Sequence, residues 1–424
     1  MAYNRAYIVG MGVVSPLGIS VPEMWDNLLA GVSGTRLNTF NTFSKVVENF
    51  DPATLGFDVV TAEVKGFDPA DWMDRKTVRR EDPVCWFALA AAKQAMADAG
   101  ITITPSLQER AAVIVGSGIG GLTTLEREDR RLMQKGAKHV NAFLVPRMMP
   151  NAASAFIARH FGICGPCLSL ASACATGADT IGEGFRLIKH GYADMVIAGG
   201  SEATITPLSL AGFRNMEAMA KRIDDPARRS RPFDCERDGF VMGEGAGVVV
   251  LVSADFAEAH HIKPLAEIAG YGRTQDAYHV TSPHPEGVHV ARAVRLALAE
   301  GRVTPDEVVY INPHGTSTPM NDPIEARIIQ SVFQERSGSI PVSSCKAMLG
   351  HMIGAAGTVE TIVCAMTLMT GIAHRSVNLD TIDPECACLD HVLGEPRHIG
   401  PGAVVKIALG FGGANAALVL LPAA

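Results

Sequence analysis

An α/β protein with an internally duplicated plan is what this chain predicts. Three observations carry that expectation: apolar strand segments alternate with helical periodicities, the same order of elements starts again past the midpoint, and glycine is plentiful while aromatic residues are scarce. The 424 residues give room for two or three domains or one large duplicated fold. Hydrophobic residues make up 47% and charged residues 19%, a globular composition that excludes disorder. The 42 glycines against 6% aromatics point to closely approaching backbones and tight turns.

Taken in order, Tyr7-Ile-Val-Gly-Met-Gly12 reads as a short apolar strand ending in a glycine turn, and 84–99 has helical periodicity with Gly100 as its stop. Buried strands are expected at 111–115, 169–173, 194–198 and 245–253, with a helix over 175–189 ended by Gly191. The pattern then restarts. Segment 265–272 echoes the opening strand, 308–313 echoes 111–116, and 341–369 echoes the strand, small-residue turn and helix of 168–189. Two pseudo-equivalent halves, 1–254 and 255–424, follow, and a site between them would draw residues from both.

With 37 basic against 44 acidic residues the net charge is -7, so no strong field is available to hold nucleic acid. Nine cysteines, odd in number and dispersed, suggest a reducing compartment. Residues 1–18 carry Arg5 and lack the apolar core of a signal peptide, so a cytoplasmic location is expected. The long charge-free run 407–424 is interrupted by Gly410, Gly412, Gly413 and Asn415. It predicts two buried strands joined by a glycine turn rather than a membrane span.

Some motifs invite readings that their context refuses. Gly116-Ser-Gly-Ile-Gly-Gly121 follows a strand, but 122–138 is a charged helix-like stretch where a dinucleotide site needs a second strand ending in an acid. Cys164-Gly-Pro-Cys167 precedes a strand instead of opening a helix, so it reads as a turn with incidental thiols. Cys386-Ala-Cys388 with His391 lacks a second ligand pair of zinc spacing and reads as a loop.

Cys174 is different, because Leu170-Ala-Ser-Ala-Cys-Ala-Thr-Gly177 places it between a strand and a helix. A thiol there lies at the positive end of a helix dipole, which favours the thiolate, and its small neighbours leave room for a carbonyl. His314, in Asn312-Pro-His-Gly-Thr-Ser-Thr318, sits at a strand's carboxyl end, where α/β sheets place ligands. His351, in Lys346-Ala-Met-Leu-Gly-His351, precedes a small-residue helix start. One cysteine with two such histidines points to nucleophilic acyl chemistry.

The chain resembles the β-ketoacyl-acyl-carrier-protein synthases of the thiolase fold, especially the elongating type II enzymes. The likeness runs through VVSPLG, GSGIGG, SACATG, RPFDCERDGFVMGEGAG, DAYHVTSPHPEG, PHGTST, KAMLGHMIGAAG and GFGGAN, in one order along nearly the whole length. It implies a duplicated five-layer α-β-α-β-α architecture. It also implies that Cys174 takes an acyl chain from a carrier protein and that malonyl-carrier protein then loses CO2 and attacks the thioester. The N–H groups of Cys174 and Phe411 would form the oxyanion hole, His314 and His351 would hold the enolate, and Lys346 would position His351 and its surroundings. By the same resemblance Asp322, Glu325 and Glu360 are supports, Phe411 gates the entry of malonyl substrate, and Ile119 lines an acyl tunnel near a dimer interface.

An acidic acyl carrier protein is the implied partner, docking on Arg75, Lys76, Arg79, Arg80 and Lys138, although Glu217 stands where relatives carry a basic docking residue. A homodimer is implied, with a heterodimer containing a chain-length factor as the alternative. No cofactor and no metal are expected. Many relatives hold a cation behind the site; Lys406 is expected to stand there instead and to pair with Glu360. A condensation-inactive chain-length-factor subunit is disfavoured by Cys174 and both histidines, and a coenzyme A thiolase by the lack of a cysteine in 409–415. Pro313, Glu217 and Lys406 keep a specialised polyketide or polyene pathway open as the alternative to fatty acid elongation.

Overall fold

The computed structural model describes residues 4–38, 52–222 and 224–423. The first half supplies strands β1 (Ala6–Val14), β2 (Ala111–Gly116), β3 (Cys167–Leu168), β4 (Met195–Glu202) and β5 (Gly245–Ser253). The second supplies β6 (Ala266–Gln275), β7 (Val308–Asn312), β8 (Pro341–Val342), β9 (Ala403–Gly410) and β10 (Ala414–Pro422). They pair in the order β3-β2-β4-β5-β1-β6-β10-β9-β7-β8, with the short strand Asp390–His391 beyond β8. In each block the first strand pairs antiparallel with the fifth and the fifth with the fourth, while the fourth, second and third run parallel. The strand order is therefore repeated, and the blocks join where Tyr7 lies opposite Glu267.

Helices α1 (Pro83–Ala99) and α2 (Ala152–Phe161) cover the outer face of the first block, and α4 (Val288–Gly301) with α5 (Asn321–Phe333) that of the second. Between the blocks lie α3 (Thr176–Lys189) and α6 (Ala356–Thr370), each packed on strands of both. This is the five-layer α-β-α-β-α stack. Its layers are held by apolar burial, each fully buried Val, Ile, Leu or Phe contributing about 1.5–3 kcal/mol. Local chemistry sets the ends of α1: the Asp82 carboxylate accepts from Val84 N–H at 3.0 Å, Pro83 opens the helix, and Gly100 closes it at φ 64°.

The glycine turn expected after Tyr7 does not form, and β1 runs on to Val14. Gly10 and Gly12 are instead contact residues: a Cβ on either would come within 2.1 Å of Ala95 O or 2.0 Å of Ala91 O on α1. In β6, Gly270 and Gly272 meet Ala297 and Ala293 of α4 in the same way. The echo between 265–272 and the chain's opening thus records close strand–helix packing. The charge-free C-terminal run forms the antiparallel pair β9–β10, as its glycines predicted. Among the described residues, the one helical stretch long and apolar enough to cross a membrane is Ile353–Thr370, and 78% of it is buried within the fold.

Candidate active site

Cys174 sits on a three-residue turn, Ala173–Ala175, that leads into α3. The strand expected over 169–173 is corrected: only Cys167–Leu168 pair with β2, and the helix begins at Thr176 rather than at 175. The reason is backbone geometry, since Ala173 takes φ 50°, a left-handed conformation that a strand cannot contain. Side chains hold the turn in place. Ser172 N–H donates to Thr176 Oγ1 at 2.9 Å, and the Ser172 hydroxyl donates to Asp179, which also accepts from the Tyr271 hydroxyl of β6.

The thiol is buried, and its Sγ lies 3.0 Å from His351 Nε2. The His351 and His314 rings stand edge to face, centroids 5.4 Å apart at 84°. His351 lies in the turn between the one-turn helix Lys346–Leu349 and Ile353–Ala355, its backbone bonded to Val241 O at 2.7 Å and to Gly243 N at 2.8 Å. His314 is set by charged groups on its backbone. Its N–H donates to Glu325, Gly315 N–H donates to the other Glu325 oxygen at 2.7 Å, and its carbonyl accepts from Lys346 Nζ at 2.6 Å. Of the His351 surroundings that Lys346 was expected to position, the ammonium contacts His314 O and Glu360 directly. Asp322, at the start of α5, accepts from Phe233 N–H at 2.8 Å and lies 3.8 Å from Arg237 Nε.

Burial dominates the electrostatics. It pushes the Cys174 thiol up to about 12, with Lys346 and the Phe411 N–H pulling the other way, so position at a helix start does not by itself yield a thiolate. His314 and His351 are held well below the usual imidazole range, by burial first and then by Lys346, with Lys406 adding to both. Both rings are thereby favoured in the neutral form; His351 Nε2 faces Cys174 Sγ, and Nδ1 of each ring has no hydrogen-bond partner among the described residues. Burial also raises Glu325 to about 7 against the two N–H groups that favour its charge.

Cys174, His314, His351 and Phe411 line one cavity of about 350 Å³, whose walls also include Phe213, Phe240 and Leu409. A neutral thiol within proton-transfer reach of an imidazole, with a second imidazole beside it, can accept an acyl group and hold an oxyanion or enolate.

The family sequence model described as "Beta-ketoacyl synthase, N-terminal domain" matches residues 4–257, and "Beta-ketoacyl synthase, C-terminal domain" matches 265–380. The chain belongs to the β-ketoacyl synthase family. It is 40% identical over 420 residues to the "3-oxoacyl-[acyl-carrier-protein] synthase 2" of Coxiella burnetii, covering 99% of each chain. Among solved structures it is similar to a chain of "the ishigamide ketosynthase/chain length factor" (TM-score 0.90, 31% identity, 100% of each chain covered). It is also similar to a chain of a type II polyketide acyl-carrier protein in complex with its ketosynthase (TM-score 0.89, 28% identity, 99% and 100% covered). The thiolase-like fold of the ketosynthases is thus the fold of this chain.

The other candidate residues of this β-ketoacyl synthase fall in different places. Phe411 opens the turn Phe411–Gly413 and lies 6.4 Å from the Phe213 ring, with Gly412 at φ 81° and open space around it. Glu360 and Lys406 form the expected pair, at 2.8 Å. Ile119 is 37% exposed and does not line the cavity. Arg75, Lys76, Arg79 and Arg80 lie exposed on a short helix capped by Asp74, and Lys138 is exposed in the turn Ala137–His139. None of these five basic residues lines the cavity, whereas Glu217, at φ 57°, does. The cysteines of Cys164-Gly-Pro-Cys167 are free and exposed, and no cluster of metal-ligating residues occurs among the described residues.

Sequence reasoning missed two residues that shape the site. A Cβ on Gly410 would lie 2.4 Å from Ser172 O and 3.3 Å from Cys174 N, so only glycine lets β9 approach the nucleophile turn this closely. Glu202, at the end of β4, is fully buried and accepts from Ser117 Oγ at 2.8 Å, Gly118 N–H at 2.8 Å and Gly354 N–H at 2.9 Å. The available signal was an acid closing an apolar strand among small residues, in Gly199-Gly-Ser-Glu-Ala203.

Proposed function

We propose that this chain is a β-ketoacyl-acyl-carrier-protein synthase that elongates fatty acyl chains by decarboxylative condensation. The observation that carries the reading is the Cys174 Sγ to His351 Nε2 distance of 3.0 Å, with His314 beside it in the same cavity. In the first half-reaction Cys174 attacks the acyl-pantetheine thioester, the pantetheine thiol leaves with a proton, and a Cys174 thioester remains. The N–H groups of Cys174 and Phe411 receive the oxyanion. In the second, malonyl-carrier protein loses CO2, the enolate oxygen is held by His314 and His351, and its carbon attacks the Cys174 thioester. The β-ketoacyl chain leaves on the carrier and the Cys174 thiolate regains a proton. Phe411, flanked by glycines, gates this second entry. Lys346 holds His314, Glu325 and Asp322 support the loop that carries it, and the reaction uses no cofactor.

Acyl carrier protein is the partner, with Arg75, Lys76, Arg79, Arg80 and Lys138 as docking groups and Ile119 near the acyl tunnel. The unit is a cytoplasmic homodimer whose halves, 1–254 and 255–424, are both needed for the site. The exposed edge strand β3 supports association along the sheet. A specialised polyketide or polyene ketosynthase paired with a chain-length factor is the second reading, favoured by the likeness to the ishigamide pair. The test is mass spectrometry after incubation with a panel of acyl-carrier proteins, followed by malonyl-carrier protein. Saturated chains on Cys174 and release of the extended β-ketoacyl carrier support elongation, preferential loading of polyene or polyketide chains supports the second reading, and no adduct at Cys174 overturns both.

A further inference from the structure

Behind the two histidines lie two buried lysines that meet on one carboxylate. Glu360, on α6, faces Lys346 with Oε1 and Lys406 Nζ with Oε2, the latter at 2.8 Å. All three side chains are almost wholly buried, and the next carboxyl group to both lysines is the buried Glu325, which holds the His314 and Gly315 N–H groups. The lysines also hold consecutive carbonyls where the chain leaves β7: Lys346 bonds His314 O at 2.6 Å, and Lys406 approaches Pro313 O at 3.4 Å while bonding Ile407 O. Its neighbours on β9, Val404, Val405, Ile407 and Ala408, are all buried and apolar. Burying a second cation is costly, and Lys346 alone would neutralise Glu360, so the Glu360 pair by itself does not account for Lys406.

We propose that Lys406 is a positioning residue for the condensation. With Lys346 it clamps the Pro313–His314 backbone that aims the His314 imidazole into the cavity, and it adds a positive charge beneath the site, which favours movement of the substrate's negative charge from the malonyl carboxylate to the enolate oxygen as CO2 leaves. The inference rests on the condensation reading above. Lys406 acts on both rings, since it is among the groups that keep His314 and His351 neutral, behind burial and Lys346. The enolate is formed only in the second half-reaction, so loss of the charge falls mainly there.

The test compares Lys406→Met with the double variant Lys406→Met/Glu360→Gln, in which the wild-type net charge is restored and the glutamine oxygen still accepts from Lys346. Expected for the single variant is a kcat for malonyl decarboxylation lower by about tenfold or more, an unchanged KM, and acyl loading of Cys174 close to wild type. The double variant decarboxylates faster than the single one. Equal losses in loading and decarboxylation, or a double variant no faster than Lys406→Met, overturn the proposal and leave the lysine a packing role. If the methionine variant does not fold, Lys406→Arg is compared with Lys406→Gln: faster decarboxylation with arginine supports the proposal, and equal rates overturn it. Failure of the wild-type enzyme to load Cys174 is a separate outcome, which overturns the condensation reading itself.

Discussion

The turn that carries Cys174 has a topological twin in the second half of the chain. Ala173–Ala175 leads into α3, and Ile353–Ala355 leads into α6; each turn opens on a left-handed residue, Ala173 at φ 50° and Ile353 at φ 44°. The strand exits correspond as well, Gly116-Ser117-Gly118 after β2 against Asn312-Pro313-His314 after β7, and the eight-residue strands β4 and β9 end at Glu202 and Gly410. Where the working site has a thiol, an imidazole and a bare glycine, the twin has Gly354, Gly118 and a glutamate. The Glu202 carboxylate fills the twin and collects the N–H groups of both glycines, 2.8 and 2.9 Å away. One frame therefore yields a reactive cavity or a solid internal tie, depending on which of three positions carries the large polar group.

Making the working site more like its twin should remove its chemistry in a graded order. Cys174→Gly should abolish the acyl adduct altogether, as intact-mass measurement after incubation with acyl-carrier protein would show. His314→Gly should lower malonyl decarboxylation by ~10²-fold or more while Cys174 still loads, because the lost donor faces an oxygen that is anionic only in that step. Comparable loss in both half-reactions would remove the distinction between the two sites. Gly410→Ala should slow acyl loading about tenfold or more, since its Cβ displaces the Ser172–Cys174 turn.

The smallest effect is expected in the twin itself. Burial raises Glu202 to about 7 from the ordinary carboxylate value of 4.5, against its three hydrogen bonds. The folded state thus binds the proton more tightly than the unfolded chain, and stability from this group is fully present below pH 4.5 and lost as pH rises through about 7. Glu202→Gln should change stability at neutral pH by only about 1–2 kcal/mol and should flatten that fall, read from denaturant midpoints between pH 5 and 8. Glu325 and Glu244, also raised by burial, respond in the same direction and contribute to the slope that remains.

Much of this arrangement was legible before any coordinates. Strand β5 was expected at its observed bounds, α1 within a residue, and β9–β10 as a glycine-joined pair, because these are long or strongly punctuated apolar runs. Cys174 and the two histidines stood out through their small-residue turns. The twin did not, because its tie joins Glu202 to residues 84 and 152 positions away and leaves no spacing to read. The 169–173 segment misled because Leu170 and Ala171 look like strand, whereas Ala173 takes φ 50° and its neighbour Ser172 is tied to Asp179 of α3, which also holds Tyr271 of β6.

The shielding of Cys174 has a consequence for how the protein is made. The groups that close directly over the thiol, His351, Gly410 and Phe411, are translated at least 177 residues after it. At 5–20 residues per second, roughly the pace of synthesis, the nucleophile spends on the order of ten seconds or more on a growing chain before its cover exists. During that interval it meets oxidants and electrophiles as an ordinary uncovered cysteine would. A reducing environment around the ribosome therefore protects this enzyme's function more than it protects its finished structure.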